Sequence, residues 1–131
     1  MADSPDPSRP NQFTGIDHHA ILVADVERTR HFYVDILGLA VNPDRPALSY
    51  DGLWLQVGQQ SIHCLRLDNP DPVEDRPKHG GRDRHVCLKA TNVNDLIDRL
   101  EQHYIDYTRS QSGRAAIFFR DPDGNAIEVS Q

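Results

Sequence analysis

The sequence has no long apolar run, an excess of acidic over basic residues and little cysteine, and each of these narrows what the protein can be. The longest apolar runs, such as residues 20–24, fall far short of the ~18 residues that a membrane span needs. No charged segment followed by an apolar stretch opens the chain, so we expect no secretory signal, no membrane partner and a cytoplasmic location. The net charge of −6 argues against nucleic acid as the main partner, because binding to phosphates needs a basic surface.

The two cysteines, Cys64 and Cys87, lie in apolar segments with strand character. We expect both to be reduced, buried thiols rather than the two halves of a disulfide. Histidine, by contrast, is plentiful, with seven residues spread along the chain of 131. The positions of these histidines therefore carry much of the interpretation.

The chain divides into a polar tail and two halves of similar length. Residues 1–14 are rich in proline, serine and aspartate and contain almost nothing apolar, so we predict a disordered tail. The remainder, residues 15–131, is long enough for one domain with its own core and too short for two ordinary ones. A second polar segment, residues 68–84, contains several prolines and glycines, and we predict a linker or mobile loop between repeats at 15–67 and 83–130.

The two halves share one plan, which indicates an internal repeat. In each half a histidine opens an alternating strand and a helix-capping residue stands seven residues later: His18 with Asp25, and His85 with Asn92. A stripe of apolar residues with helical spacing follows each cap, and Gly38 ends the first helix. Three short strands are predicted after each helix, at 47–50, 53–57 and 61–67 and at 107–110, 115–120 and 125–129. Each half is therefore β-α-β-β-β, and the fold class is α+β rather than a doubly wound sheet.

Strand alternation assigns the key side chains to one face of the sheet. The bulkier apolar residues of the two opening strands should lie under the helices, which leaves His18 and His85 on the opposite, concave face. In the last strand Ile127 takes the apolar face and leaves Glu128 on the concave one. His63 occupies, in the first half, the position that Glu128 holds in the second.

Four potential metal ligands therefore fall at equivalent points of a duplicated unit. Imidazole nitrogens and a carboxylate oxygen together suit a divalent transition metal. His18, His85 and Glu128 have the composition of the two-histidine, one-carboxylate triad, which leaves positions open for substrate or water, and we predict that they bind one ion at ~2.0–2.2 Å. We predict that the remaining histidines lie in the core or on the surface and bind no metal. These are His19, His31, His79 and His103.

Three segments of the chain, residues 16–25, 31–39 and 118–129, resemble the vicinal oxygen chelate superfamily. This superfamily contains glyoxalase I, bleomycin- and fosfomycin-resistance proteins, methylmalonyl-CoA epimerase and the extradiol dioxygenases. The resemblance covers about residues 15–130. It implies two βαβββ modules that form a curved mixed sheet, a cup with the helices on its outer face, in a homodimer with one divalent metal ion per cavity.

The resemblance also implies roles for particular residues. His18 matches the ligand of the first strand, His85 the ligand that opens the second repeat, and Glu128 the carboxylate ligand of the final strand. His63 falls where glyoxalase I and the epimerase have a fourth ligand, Glu or Gln, so histidine at this position departs from their pattern. We expect a mixed site in which His18 and His63 come from one chain and His85 and Glu128 from the other. The alternative is that one chain supplies all four residues.

The reaction that fits this resemblance is a glyoxalase-like lyase or isomerase reaction on a small carbonyl or thiol-adduct substrate. A metal ion, whether Zn, Ni, Mn or Fe, would stabilise the oxyanion as it develops, and Glu128 would act as the base. The alternatives are an Fe(II) ring-cleaving dioxygenase that uses the same triad, a fosfomycin-resistance-like transferase, and a non-catalytic binder of small molecules. For the transferase, the nearest basic cluster is Lys78, Arg82 and Arg84, which lies in the polar loop and is expected to be solvated.

Overall fold

The computed structural model describes Ser8 and residues 12–131. The disordered tail predicted for residues 1–14 falls mostly outside this part and stays a prediction. Within the described part, no helix is long and apolar enough to cross a membrane.

The first module is a four-stranded mixed sheet with one helical segment. The sheet order is β1-β4-β3-β2, with β1 parallel to β4 and the other neighbours antiparallel. The helix begins as an α-helix and continues as a π-helical turn. Its elements are β1 (His18–Leu22), α1 (Val26–Arg30), the π-helical turn (His31–Ile36), β2 (Ala40–Val41), β3 (Gly52–Val57) and β4 (Gln60–Leu65).

The second module repeats this plan in the order β5-β8-β7-β6, with β5 parallel to β8. A short 3-10 helix (Gly80–Arg82) precedes it. Its elements are β5 (His85–Lys89), α2 (Val93–Gln102), β6 (Tyr107–Arg109), β7 (Ala116–Arg120) and β8 (Ala126–Ser130). The predicted α+β class, with two βαβββ modules forming a curved cup, is confirmed. No strand of one sheet is hydrogen-bonded to the other within residues 12–131.

The predicted helix ends are also found. The Asp25 side chain accepts a hydrogen bond from the Arg28 N–H at 3.0 Å, and the Asn92 side chain accepts one from the Asp95 N–H at 3.1 Å. Each carboxylate or amide oxygen thus satisfies a donor that the first helical turn leaves unpaired. Gly38 ends the first helical segment with φ +83°, a conformation that glycine adopts without strain.

One predicted strand, residues 47–50, is wrong. The partner of β3 is instead the two-residue strand β2, with Ala40 opposite Gln56. Two prolines, Pro43 and Pro46, follow β2 and lack the N–H groups that a longer ladder needs. The segment closes as a loop, in which the Arg45 guanidinium donates to the Tyr50 carbonyl at 2.7 Å.

One hydrophobic core joins the two modules. It packs the helices against the apolar faces of both sheets, as strand alternation predicts. At its edge the buried Tyr33 hydroxyl donates to Asp121 at 2.6 Å, which ties the first helix to the turn between β7 and β8. Burial raises the pKa of Asp121, although hydrogen bonds from Tyr33 and Asn125 act in the opposite direction.

The cysteine prediction is half right. Cys64 is buried, and burial raises the pKa of its thiol to about 12. Cys87, expected to be buried as well, is exposed. It lies on the concave face directly opposite Glu128 in the β5–β8 pairing, with its sulfur 3.5 Å from the Ser130 hydroxyl.

The segment between the modules, predicted as a linker or mobile loop, contacts the second module. The Arg120 guanidinium of β7 donates to the Pro77 carbonyl at 2.6 Å, and within the segment Arg76 donates to the Pro72 carbonyl at 2.9 Å. Gly124, with φ +82°, lies so close to the segment that a Cβ there would be 2.5 Å from the Val73 carbonyl oxygen. Only glycine fits that close approach.

Candidate metal centre

The predicted ligands fall into two pairs, one on the concave face of each module. His85, the first residue of β5, and Glu128, in the middle of β8, form the pair on the second module. The His85 Nε2 atom lies 3.2 Å from Glu128 Oε1. The Glu128 side chain is only 8% exposed and that of His85 25%, so the contact is partly buried.

The orientation of the His85 ring is fixed by a hydrogen bond on the side away from Glu128. Its Nδ1 atom lies 2.8 Å from the Asp83 backbone carbonyl, which can only accept a hydrogen bond. Nδ1 therefore carries a proton, and in the neutral imidazole the Nε2 lone pair faces the Glu128 carboxylate. The imidazole nitrogen and the carboxylate oxygen therefore face each other at 3.2 Å.

Asp83 is itself held by two arginines. Arg76 binds both of its carboxylate oxygens, at 2.8 and 2.9 Å, and Arg120 donates to one of them at 2.9 Å. The hydrogen bond from Arg76 is the main reason why the pKa of Asp83 lies well below its ordinary value. The backbone that orients His85 is therefore fixed by charge-assisted hydrogen bonds.

Glu128 has a second partner that the sequence reasoning missed. Arg114 donates from Nη2 to Glu128 Oε2 at 2.9 Å, and its own Nε donates to the Ser112 hydroxyl at 3.0 Å. Arg114 lies in the turn before β7, where strand alternation says nothing about direction. The sequence could have indicated this contact, because a buried carboxylate needs a cation nearby and Arg114 lies in the neighbouring hairpin.

The pair on the first module is built from rings. His18 and His63 stack with their ring centroids 3.9 Å apart and their planes at 14°. The other face of His63 lies on Trp54, with centroids 3.8 Å apart and planes at 1°. We call Trp54, His63 and His18 the ring stack. The His18 Nδ1 atom is 2.7 Å from the carboxylate of the exposed Asp17, which leaves Nε2 without a hydrogen bond from that side chain.

The two pairs do not meet within one chain. In the described part of the chain, no group of three His, Cys, Asp or Glu side chains is placed to hold a metal ion. The arrangement in which a single chain supplies His18, His63, His85 and Glu128 is therefore not found. Each chain instead presents two separate pairs of side chains, His18 with His63 and His85 with Glu128.

The other histidines lie away from these pairs or contact them indirectly. His19 is half-buried, and burial followed by the neighbouring His18 lowers its pKa. It lines a cavity of about 250 Å³ between β1 and the start of β5. His31 is exposed and lies 3.0 Å from Asp35. His79 contacts Phe118, whose ring edge in turn contacts His85.

The basic residues of the polar loop do not form an open cluster. Arg84 is paired with the Asp71 carboxylate. Lys78 is exposed just before the 3-10 helix, and Arg82 is exposed at its last residue. This is the solvated arrangement expected from the sequence, and it gives no support to a phosphonate site at these residues.

The sequence profile of the Glyoxalase/Bleomycin resistance protein/Dioxygenase superfamily matches residues 15–129. The chain therefore belongs to this superfamily. Its relatives include Glyoxylase I 4 of Arabidopsis thaliana, 27% identical over 129 residues, with 95% of this chain and 74% of that protein covered. The Salmonella typhimurium virulence protein STM3117 is 30% identical over 127 residues, with coverage of 88% and 83%.

Other matches show how widely the chemistry of the superfamily varies. Bovine mitochondrial methylmalonyl-CoA epimerase is 25% identical over 128 residues, covering 88% of this chain and 73% of that protein. The crystal structure of a glyoxalase family protein from Bacillus anthracis superposes with a TM-score of 0.77 at 23% identity, covering 92% and 97% of the two chains. FosX, a fosfomycin resistance protein of Listeria monocytogenes, superposes at 0.71 with 17% identity and 91% coverage of each chain. These similarities define the fold and the superfamily, and they leave the reaction open.

Proposed function

We propose that this protein is a metal-dependent lyase or isomerase that acts on a small carbonyl or thiol-adduct substrate. The observation that carries the proposal is the contact between His85 Nε2 and Glu128 Oε1 at 3.2 Å. A histidine nitrogen and a carboxylate oxygen held face to face, with the imidazole fixed through its other nitrogen, would form half of a metal site in the orientation that metal-binding histidines usually have.

The residues on the concave faces suit a divalent metal ion. His85 and Glu128 would hold it from one module, and His18 from the other, with neutral nitrogen donors and one anionic oxygen. Such an ion, when bound, polarises a substrate carbonyl and stabilises the negative charge that develops on its oxygen. The metal would be Zn, Ni, Mn or Fe, all of which accept this donor set.

Glu128 has two oxygens with different tasks in this proposal. Oε2 is held by Arg114, which fixes the direction of the carboxylate. Oε1 points towards His85 and would contact the metal ion; once released from the ion, this oxygen would accept a proton from the carbon next to the substrate carbonyl. Because the Glu128 side chain is buried, bulk water does not compete with the substrate for this oxygen.

Each complete site would be shared between two chains. The chain carries both pairs, but its own fold keeps them apart, so a second copy related by a two-fold axis would have to supply the missing pair. One interface would then create two identical sites. Each would take His18 and His63 from one chain and His85 and Glu128 from the other.

The first experiment is elemental analysis of the purified protein, followed by an assay with the thiol adduct of a 2-oxoaldehyde. We expect about one divalent ion per chain in the wild type, little in His85→Ala, and loss of turnover in Glu128→Gln. His31→Ala is the matched control, because His31 is exposed on the helix. Metal that stayed bound in His85→Ala would contradict the proposal.

The same three residues also support a second candidate, an Fe(II) ring-cleaving dioxygenase. Two histidines and one carboxylate are the ligand set of many non-haem iron oxygenases. Oxygen consumption by the iron-loaded protein with a catechol would favour this reaction. Turnover with Zn or Ni and without oxygen would favour the isomerase.

A further inference from the structure

The ring stack gives His63 a different environment from its repeat counterpart, Glu128. His63 lies between two rings, with Trp54 on one face and His18 on the other. Its Nε2 atom is 3.0 Å from the Ser61 hydroxyl. Trp54 is opposite His63 in the β3–β4 pairing, so the two strands themselves bring these rings together.

We propose that His63 is a positioning residue that holds the His18 ring for metal binding, and that it is not itself a metal ligand. This inference rests on the proposed function, because it takes His18 as a ligand. It assigns to the ring stack the task that the Asp83 carbonyl performs for His85 in the second module.

The first argument is that, within residues 12–131, no buried hydrogen-bond acceptor is seen to fix the His18 ring, unlike the carbonyl that fixes His85. Its side chain is 41% exposed, and the one carboxylate that it contacts, on Asp17, is 93% exposed. Ion pairs so open to water contribute little to fixing a side chain. The other restraint on the His18 imidazole is the large ring contact with His63, and stacked rings have a preferred geometry.

The second argument is geometric. An imidazole binds a metal ion through a nitrogen lone pair that lies in the plane of its ring. An ion about 2.0–2.1 Å from a His18 nitrogen would lie in the His18 plane. Because the two planes are within 14° of parallel, this ion would be displaced from the His63 plane by roughly the ring spacing, 3.9 Å between centroids. One ion cannot therefore bind both rings unless the stack is broken.

The test is a comparison of two substitutions at position 63. His63→Phe keeps a flat ring and removes both nitrogens, whereas His63→Ala removes the ring. With Zn²⁺ in competition with a chromophoric chelator, we expect His63→Phe to retain the wild-type affinity within about three-fold. We expect His63→Ala to lose about 10-fold or more, the usual cost of removing a group that orients a ligand. If His63→Phe lost as much affinity as His18→Ala, His63 would be a ligand and the proposal would be wrong.

Trp54 provides a second readout, because it is the only tryptophan in the chain. Its emission reports on the ring stack directly, so Zn²⁺ binding at His18 should change the fluorescence of the wild type and of His63→Phe. The change should be lost in His63→Ala, where the link between Trp54 and His18 is broken. A Zn²⁺ response that persists in His63→Ala would contradict the positioning role.

Two controls separate this inference from the proposed function. His31→Phe makes the same replacement at an exposed histidine and should change neither affinity nor fluorescence. His85→Ala should abolish Zn²⁺ binding whatever His63 does. Wild-type protein that bound no Zn²⁺ would overturn the proposed function together with this inference. Binding in the wild type combined with loss in His63→Phe would overturn the positioning role alone.

Discussion

The two modules have the same strand order, yet they hold their histidines by different physical means. In the second module His85 is fixed by a backbone carbonyl, and behind it stands an aspartate bound to two arginines. In the first module His18 is fixed by a stack of rings and an exposed carboxylate. Duplication of the fold thus places equivalent side chains at equivalent positions on the two sheets. The contacts around each side chain then determine its role.

The comparison also indicates which of the two histidines, His18 or His85, is held more firmly in place. Charge-assisted hydrogen bonds among poorly exposed groups are strong and directional. Stacking and an open ion pair are weaker and tolerate more motion. We therefore expect substitutions behind His85 to lower stability and metal affinity more than equivalent substitutions beside His18.

The largest effect is expected when two defective variants are mixed. His18→Ala and His85→Ala should each be inactive alone, because each destroys one half of every shared site. After unfolding and refolding together, half of the dimers would contain one chain of each kind, and one of their two sites would be intact. Activity should therefore return to about a quarter of the wild-type value. A mixture as inactive as its components would show that the site is not shared.

The next largest effect is expected for Asp83→Asn. An amide offers Arg76 only one acceptor where the carboxylate offers two, and its NH₂ group would face the guanidinium. We expect the free energy of unfolding to fall by about 1.5–3 kcal/mol, measured by denaturant titration, and metal affinity to fall as His85 loses its fixed carbonyl. Asp71→Asn, which changes the exposed partner of Arg84, is the control and should cost much less.

A smaller and opposite effect is expected for Arg114→Gln. The guanidinium and a divalent ion compete for the same carboxylate, so its removal should raise metal affinity several-fold in a chelator competition. The Arg114 side chain is 55% exposed, so unfolding should become easier by less than about 1 kcal/mol. Arg109→Gln changes an exposed cation outside the site and should alter neither quantity. A fall in metal affinity in Arg114→Gln would mean that the arginine orients Glu128 more than it competes.

The smallest effect is expected for Asp17→Asn. The Asp17 carboxylate is almost fully exposed, so its pair with His18 should be worth less than about 0.5 kcal/mol. Metal affinity, measured as above, should change by no more than about two-fold. A loss as large as that of Asp83→Asn would show that both modules hold their histidines electrostatically, and the contrast between them would fail.

The fold and the faces of the site residues were predictable because they depend on periodicity. His18, His85 and Glu128 were assigned to one face by alternation along the strand, which needs no knowledge of neighbours. Asp25 and Asn92 were recognised as caps for a similarly local reason. The predicted strand at residues 47–50 failed because Pro43 and Pro46 end the ladder early, a constraint that outweighs apolar composition.

The contacts that give the site its character were not predictable, because they join residues distant in sequence. The approach of Arg114 to Glu128 depends on how the turn before β7 folds back over β8. The stacking of Trp54 on His63 depends on the pairing register of β3 with β4, which places the two residues opposite each other. The exposure of Cys87 depends on what covers the concave face, and alternation assigns a side chain to a face without saying what covers that face.

The anchored segment between the modules has a consequence for how a dimer can arise. Proteins often build shared sites by exchanging identical parts between chains, which requires a connection free to swing open. Here the connection is fastened to the second module through Pro77 and Val73, and Tyr33 and Asp121 join the modules again in the core. Exchange of modules would have to break the contact between Tyr33 and Asp121 and to open the core that the modules share. We therefore expect the dimer to form by docking of two folded chains. Dilution should then produce folded monomers in which the two pairs of side chains stay apart.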